Sequence, residues 1–183
     1  MLNQLARDIR FDNASKGFDP TEGGVNRYIL LAISELCEAQ DEIRDGHGIN
    51  EIYYLHPEDL HKTISKESNE GWKPCGFSVE IADAIIRILD ISGKFEHDLE
   101  NGEVVMAVDF EDAPIDDWLL GIVNIISDTF NYDPTHNDFW YALKQGIGTL
   151  FIFCEKHNIM IMDVVHEKLR YNRSRPPKHG RKF

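Results

Sequence analysis

The residues best suited to chemistry in this chain are carboxylates at helical spacing. The stretch "SELCEAQDEIR" (34–44) carries Glu35, Glu38 and Glu42, and "VEIADAIIRILD" (79–90) carries Glu80, Asp83 and Asp90 with Arg87 among them. At 100° per residue the first three acids fall within an arc of about 60° on one helix face. Ile29, Ile33, Leu36 and Ile43 take the neighbouring face, and Leu30 and Cys37 border the acids on the other side. In the second stretch Ile81, Ile85, Ile86, Ile88 and Leu89 cover most of the circumference left by the stripe, which predicts a largely buried helix. Like charges one turn apart repel by a few tenths of a kcal/mol, and a carboxylate buried without a partner costs several kcal/mol or takes up a proton. A hard divalent cation between the two stripes removes both penalties. Oxygen ligands without His or Cys suit Mg²⁺ or Mn²⁺, which keep several waters and accept phosphate oxygens. The ordinary explanation for either stripe alone is a solvated face, with Asp83 and Arg87 spaced for an ion pair within the helix. Two stripes on two mainly apolar helices favour the cation.

Positive charge is gathered elsewhere. Seven of the 19 Lys and Arg residues lie from Lys168 to Phe183, where no acid stands, so the rest of the chain sets 12 basic groups against 32 acidic ones, a charge of −20. Lys168 and Asn172 are one helical turn apart, and Arg175, Lys178, His179 and Arg181 continue the charge into an extension that Pro176 and Pro177 keep from being helical past Ser174–Arg175. Such cations suit a triphosphate, Arg giving bidentate contacts.

The elements that must position these groups are helices. Apolar residues recur at helical spacing over 2–11, 25–45, 77–97, 115–130, 137–157 and 159–172, and period-2 strands are nearly absent, so the fold class is all-α. "EIYYL" (51–55) and "EVVMAVDF" (103–110) are candidate extended pieces, the second favoured by Val104, Val105 and Val108. Gly46 suits a C-terminal cap, and Asn137 or Asp138 suits an N-cap. Residues 46–76, with Pro57, Gly71, Pro74 and Gly76, read as an insertion holding one short helix begun by "HPEDLHK".

At 183 residues and 42% hydrophobic content the chain is expected to form one soluble domain. No apolar run approaches the roughly 20 residues a bilayer needs, and a net charge of −13 disfavours a nucleic-acid polymer as partner. Cys37, Cys75 and Cys154 have no metal-type spacing and read as reduced thiols of a cytoplasmic protein, with Cys37 and Cys154 packing in the core.

"SELCEAQDEIRDG" together with "GFSVEIADAIIRILDISG" resembles the MazG-like, all-α nucleoside triphosphate pyrophosphohydrolases, marked by an ExxE helix followed by an ExxD helix. The tail "KLRYNRSRPPKHGRKF" and the segment "NASKGF" are similar to parts of the same group. The resemblance touches about half the chain, chiefly 13–46, 76–93 and 165–182. The gap from Glu38 to Glu80 is longer than in minimal members, and 98–136 is an extra segment without a counterpart there. The resemblance implies a helical bundle over 1–183 that hydrolyses a nucleoside triphosphate to the monophosphate and pyrophosphate, as a homodimer or homotetramer. It implies Mg²⁺, or Mn²⁺, on Glu35, Glu38, Glu80 and Asp83. Glu42 then serves as a third ligand on its helix or as the base that orients water, Asp90 as an outer-shell group, and Lys168, Asn172, Arg175 and Lys178 as substrate-binding residues.

Other expectations compete with these. Trp72, Tyr53, Tyr54 and Phe18 are candidates to stack on a base. His47, His56, His61 and Cys75 form a loose zinc-type set, and Glu58-x-x-His61 with the imperfect Asp163-x-x-His166 is a partial di-iron pattern. The alternative to an enzyme is a helical interaction module keeping the acids as a structural cation site.

Overall fold

The computed structural model describes residues 1–56, 59–67, 71–101 and 112–177. Among these residues six helices dominate: α1 (Leu2–Ser15), α2 (Val25–Arg44), α3 (Phe77–Phe95), α4 (Ile115–Ser127), α5 (Asn137–Lys156) and α6 (Ile161–Ser174). A 3-10 turn, Asp128–Asn131, follows α4. Three short strands, β1 (Tyr53–His56), β2 (Asp59–Ser65) and β3 (Lys73–Cys75), form an antiparallel sheet in the order β2-β1-β3. The mostly helical class agrees with the sequence pattern. No described helix is long and apolar enough to cross a membrane.

Helix α3 is the axis of the molecule because it is apolar nearly all round. From Phe77 to Ser92 only Asp83 and Arg87 escape full burial, and α1, α2, α5 and α6 each pack against it. The core draws Ala6 and Ile9 from α1, Leu36 from α2, Trp118 and Ile122 from α4, Phe139 and Phe153 from α5, and Val165 from α6. Much of the apolar surface of α4 and α5 is thus buried within the chain, while Leu120 and Tyr141 stay exposed. The turn from β3 into α3 has no room for a side chain: a Cβ on Gly76, whose φ is 122°, would collide with the Glu51 carbonyl oxygen. This sets the start of α3 tightly against the chain just ahead of β1.

Helix limits follow the expected chemistry. Gly46, at φ 90°, caps the end of α2 by donating to the Ile43 carbonyl at 3.0 Å, and α6 stops at Ser174, ahead of the proline pair. Four expectations fail. The segment that starts "DLHK" is strand β2, in which Ile64 pairs with Leu55 and Ser65 with Tyr54; a helix of that length has little stability alone, whereas a neighbouring strand supplies partners for its backbone. The N-cap of α5 is His136, whose Nδ1 accepts from the Asp138 amide at 3.3 Å. Cys37 is exposed, while Cys75 and Cys154 are buried. Helix α4 gives way to the 3-10 turn before residue 130. The proposed strand 103–110 lies outside the described residues.

Candidate metal centre

The stripe on α3 is divided residue by residue among different helices. Asp90, 2% exposed, receives the Arg10 guanidinium of α1 at 2.8 Å and the Asn13 amide at 2.9 Å, one on each carboxylate oxygen. Arg87 reaches Glu35 of α2, its Nε at 2.6 Å and Nη2 at 2.5 Å from Oε1. Asp83 meets the Lys168 ammonium of α6 at 2.7 Å, with Lys168 only 3% exposed. The ion pair expected between Asp83 and Arg87 is therefore replaced by one bond to each of two flanking helices. Spacing puts the two residues within reach of each other, but the flanking helices offer each a more buried partner, Glu35 to Arg87 and Lys168 to Asp83.

Glu80 is the exception. It is 4% exposed, and among the described residues no hydrogen bond or ion pair reaches its side chain. One carboxylate oxygen each from Glu35, Glu38 and Glu80 lies within 4.8 Å of the others. Burial pushes the Glu80 carboxyl up to about 8, against the pull of the Lys168 charge and with the added push of Asp83. Burial raises Glu35 as well, opposed by Arg87. Lys168 shows the balance from the other side: burial lowers it, Asp83 and Glu80 more than reverse that, and the ammonium stays charged. Glu38 is exposed and, among the described residues, takes only a long hydrogen bond from Ser34 Oγ, 3.4 Å. The group combines two buried acids with one open to solvent, a donor set of the hard-oxygen kind that suits Mg²⁺ or Mn²⁺.

Of the four acids expected as ligands, Glu35, Glu38 and Glu80 converge, and Asp83 adjoins them while bound to Lys168. Glu42 lies one turn beyond Glu38 and accepts from the Tyr53 hydroxyl, 3.0 and 3.2 Å to its two oxygens. Asp90 is occupied by α1 and belongs to the fold. In the tail, Lys16 donates to the carbonyls of Asn172, of Arg173 at 2.9 Å and of Arg175 at 2.7 Å, capping the end of α6. Arg173 also reaches Asp12 at 2.6 Å, and the Arg175 guanidinium lies 5.6 Å from the centre of the Tyr171 ring. Lys178, His179 and Arg181 lie outside the described residues, as does Glu58.

The stacking and zinc expectations find other partners. Tyr54, buried, donates to Glu167 at 2.6 Å, and Trp72 meets His56 edge-on at 5.0 Å. His47 stacks on Tyr53 at 4.6 Å and faces Glu51. Among the described residues Glu35, Glu38 and Glu80 are the one group of three or more His, Cys, Asp or Glu close enough to share an ion. Sequence reasoning missed the Tyr53 hydroxyl, the Arg87–Glu35 bond and the Lys16 cap. Nothing in the spacing marks them, since Arg87–Glu35 and the Lys16 cap join segments far apart in the chain and Tyr53 meets Glu42 only because β1 folds back on α2. Compared with known proteins, the chain matches no family model, no curated protein and no solved structure.

Proposed function

We propose that Glu35, Glu38 and Glu80 hold a divalent cation, Mg²⁺ or Mn²⁺, and that the protein is a metal-dependent nucleoside triphosphate pyrophosphohydrolase of the MazG-like kind. The observation that carries the cation is Glu80: a buried carboxylate with no donor among the described residues, aimed at two further carboxylates. Such an arrangement is costly without a positive charge at its centre. The step from cation to hydrolase rests on the paired ExxE and ExxD segments and on the Lys168 ammonium beside them.

A bound Mg²⁺ supplies charge neutralisation for a triphosphate and activation of a water for in-line attack. The chain's own groups divide the remaining work. Glu35, Glu38 and Glu80 hold the ion, and Glu42 orients a water from one turn further along α2. Lys168, buried and bound to Asp83, lends its charge to the acidic centre from behind that acid, while Asn172 and Arg175 at the end of α6, with Lys178 following in sequence, are the groups left to meet phosphate oxygens. No protein nucleophile is needed.

The test is pyrophosphate release from ribo-, deoxyribo- and modified nucleoside triphosphates with Mg²⁺ or Mn²⁺, run beside Glu38→Gln and Glu80→Gln. Metal-dependent release from the unmodified protein, lost in both variants, is the expected result. Metal binding without release from any nucleotide overturns the hydrolase and leaves a structural cation site.

A further inference from the structure

The β-sheet insertion brings a hydroxyl into the acidic centre. Successive residues of a strand point to opposite faces, and β1 uses both. Tyr54 turns to α6 and donates to Glu167, next to Lys168 in the chain. Tyr53 turns to α2 and spans both oxygens of Glu42 at 3.0 and 3.2 Å. Its ring is fixed from the side by His47, stacked at 4.6 Å and 22°. β3 runs alongside, with Cys75 opposite Tyr53, and leads through Gly76 into the turn of α3 that bears Glu80. Burial and the bond to Glu42 both hold the phenol protonated, so at neutral pH it is a donor.

A hydroxyl shared between both oxygens of one carboxylate fixes the plane of that carboxylate. Glu42 stands outside the three-acid group yet shares its helix face, one turn beyond Glu38. We propose that Tyr53 is a positioning residue, which sets the Glu42 carboxylate toward a water carried by the metal and so makes the sheet a working part of the centre. Glu42 would meet the ion through that water, and groups that orient the surroundings of a metal in this way typically govern affinity or activity by 10- to 100-fold. The inference rests on the metal-centre assignment above and extends it to a residue that no carboxylate pattern would reveal. His47 serves the same end at one further remove, by holding the phenol ring.

The experiment is a Mn²⁺ titration followed by electron paramagnetic resonance on the unmodified protein, Tyr53→Phe, Glu42→Gln, the double variant and Tyr54→Phe. Phe at 53 keeps the ring and its stack and removes only the hydroxyl. Expected are an affinity about tenfold weaker for Tyr53→Phe, a double variant no weaker than Glu42→Gln alone, and Tyr54→Phe within about twofold of the unmodified protein. Where pyrophosphate release is observed, Tyr53→Phe lowers kcat and leaves KM for the nucleotide unchanged. Unaltered affinity in Tyr53→Phe, additive losses in the double variant, or an equal loss in Tyr54→Phe would each overturn the proposal, the last by showing that loosening the strand suffices. Absence of Mn²⁺ binding by the unmodified protein is a separate outcome and removes the metal-centre assignment itself.

Discussion

Asp90 and Glu80 stand on the same helix, a little under three turns apart, and both are almost wholly buried, yet they have opposite surroundings. Each oxygen of Asp90 has its own donor, Arg10 on one and Asn13 on the other. Glu80 has no donor among the described residues and faces two further acids. Burial raises both carboxyls, Asp90 to about 6 against the pull of Arg10 and Asn13, Glu80 to about 8. Burial alone therefore does not separate an acid that holds a fold together from one kept for a ligand; the tally of donors does. Asp90 fastens α1 to α3, and the shortage at Glu80 is what an added cation would fill.

The largest effect is expected at Asp90. Asp90→Ala removes the one carboxylate that the mostly buried Arg10 guanidinium meets among the described residues, leaving it the Phe18 carbonyl, and should cost about 3 kcal/mol. At roughly 2–4 °C per kcal/mol for a chain of this size, calorimetry should show the melting temperature falling by about 10 °C. A loss below about 1 kcal/mol would show that the Asp90 contacts do not fasten α1 to α3.

A smaller effect tests the other end of the helix. Mg²⁺ or Mn²⁺ at a hundred times its dissociation constant should add about 2.7 kcal/mol to the unmodified protein and nothing to Glu80→Gln, read as thermal shifts. Because the ion must displace a proton from a carboxyl titrating at about 8, this stabilisation should grow as pH rises from 6 to 9. A shift independent of pH would place the ion elsewhere.

The smallest effect appears without metal. The folded carboxyl of Glu80 holds its proton to about 8, whereas the unfolded one releases it near 4.5. Between those values the folded state binds more protons, so the contribution of Glu80 to stability is present at low pH and is lost as pH rises through 8. Glu80→Gln should lack that decline and, at pH 9, melt a few degrees above the unmodified protein. Urea titrations at pH 6 and 9 would show it. Parallel pH profiles for the two proteins would mean that Glu80 ionises freely.

The helices were legible because period and caps are local properties. The pattern over 25–45 and 77–97 predicts α2 and α3 to within two residues, and Gly46 and Pro176 mark ends by their own backbone chemistry. The acids were legible as faces: spacing shows that Glu35, Glu38 and Glu42 share one. Spacing does not show which helix covers a face. Arg87 and Asp83 look like partners in sequence and are claimed by Glu35 and Lys168 in space. The strand over "DLHKTIS" was hidden for the same reason, since its pairing depends on β1 rather than on its own residues.

The Lys16 cap has a consequence for the order in which the molecule is completed. It joins residues separated by 156 positions, and synthesis delivers the two partners at very different times. α1 can settle on α3 once that helix has emerged, but the Lys16 ammonium finds no carbonyls until the last turn of α6 follows. The cost of closing so long a loop grows only slowly with length and falls once the intervening chain is folded, so the cap forms late, as a latch on a body already assembled. A nascent chain halted before α6 would lack the latch and would have no ammonium beside Asp83.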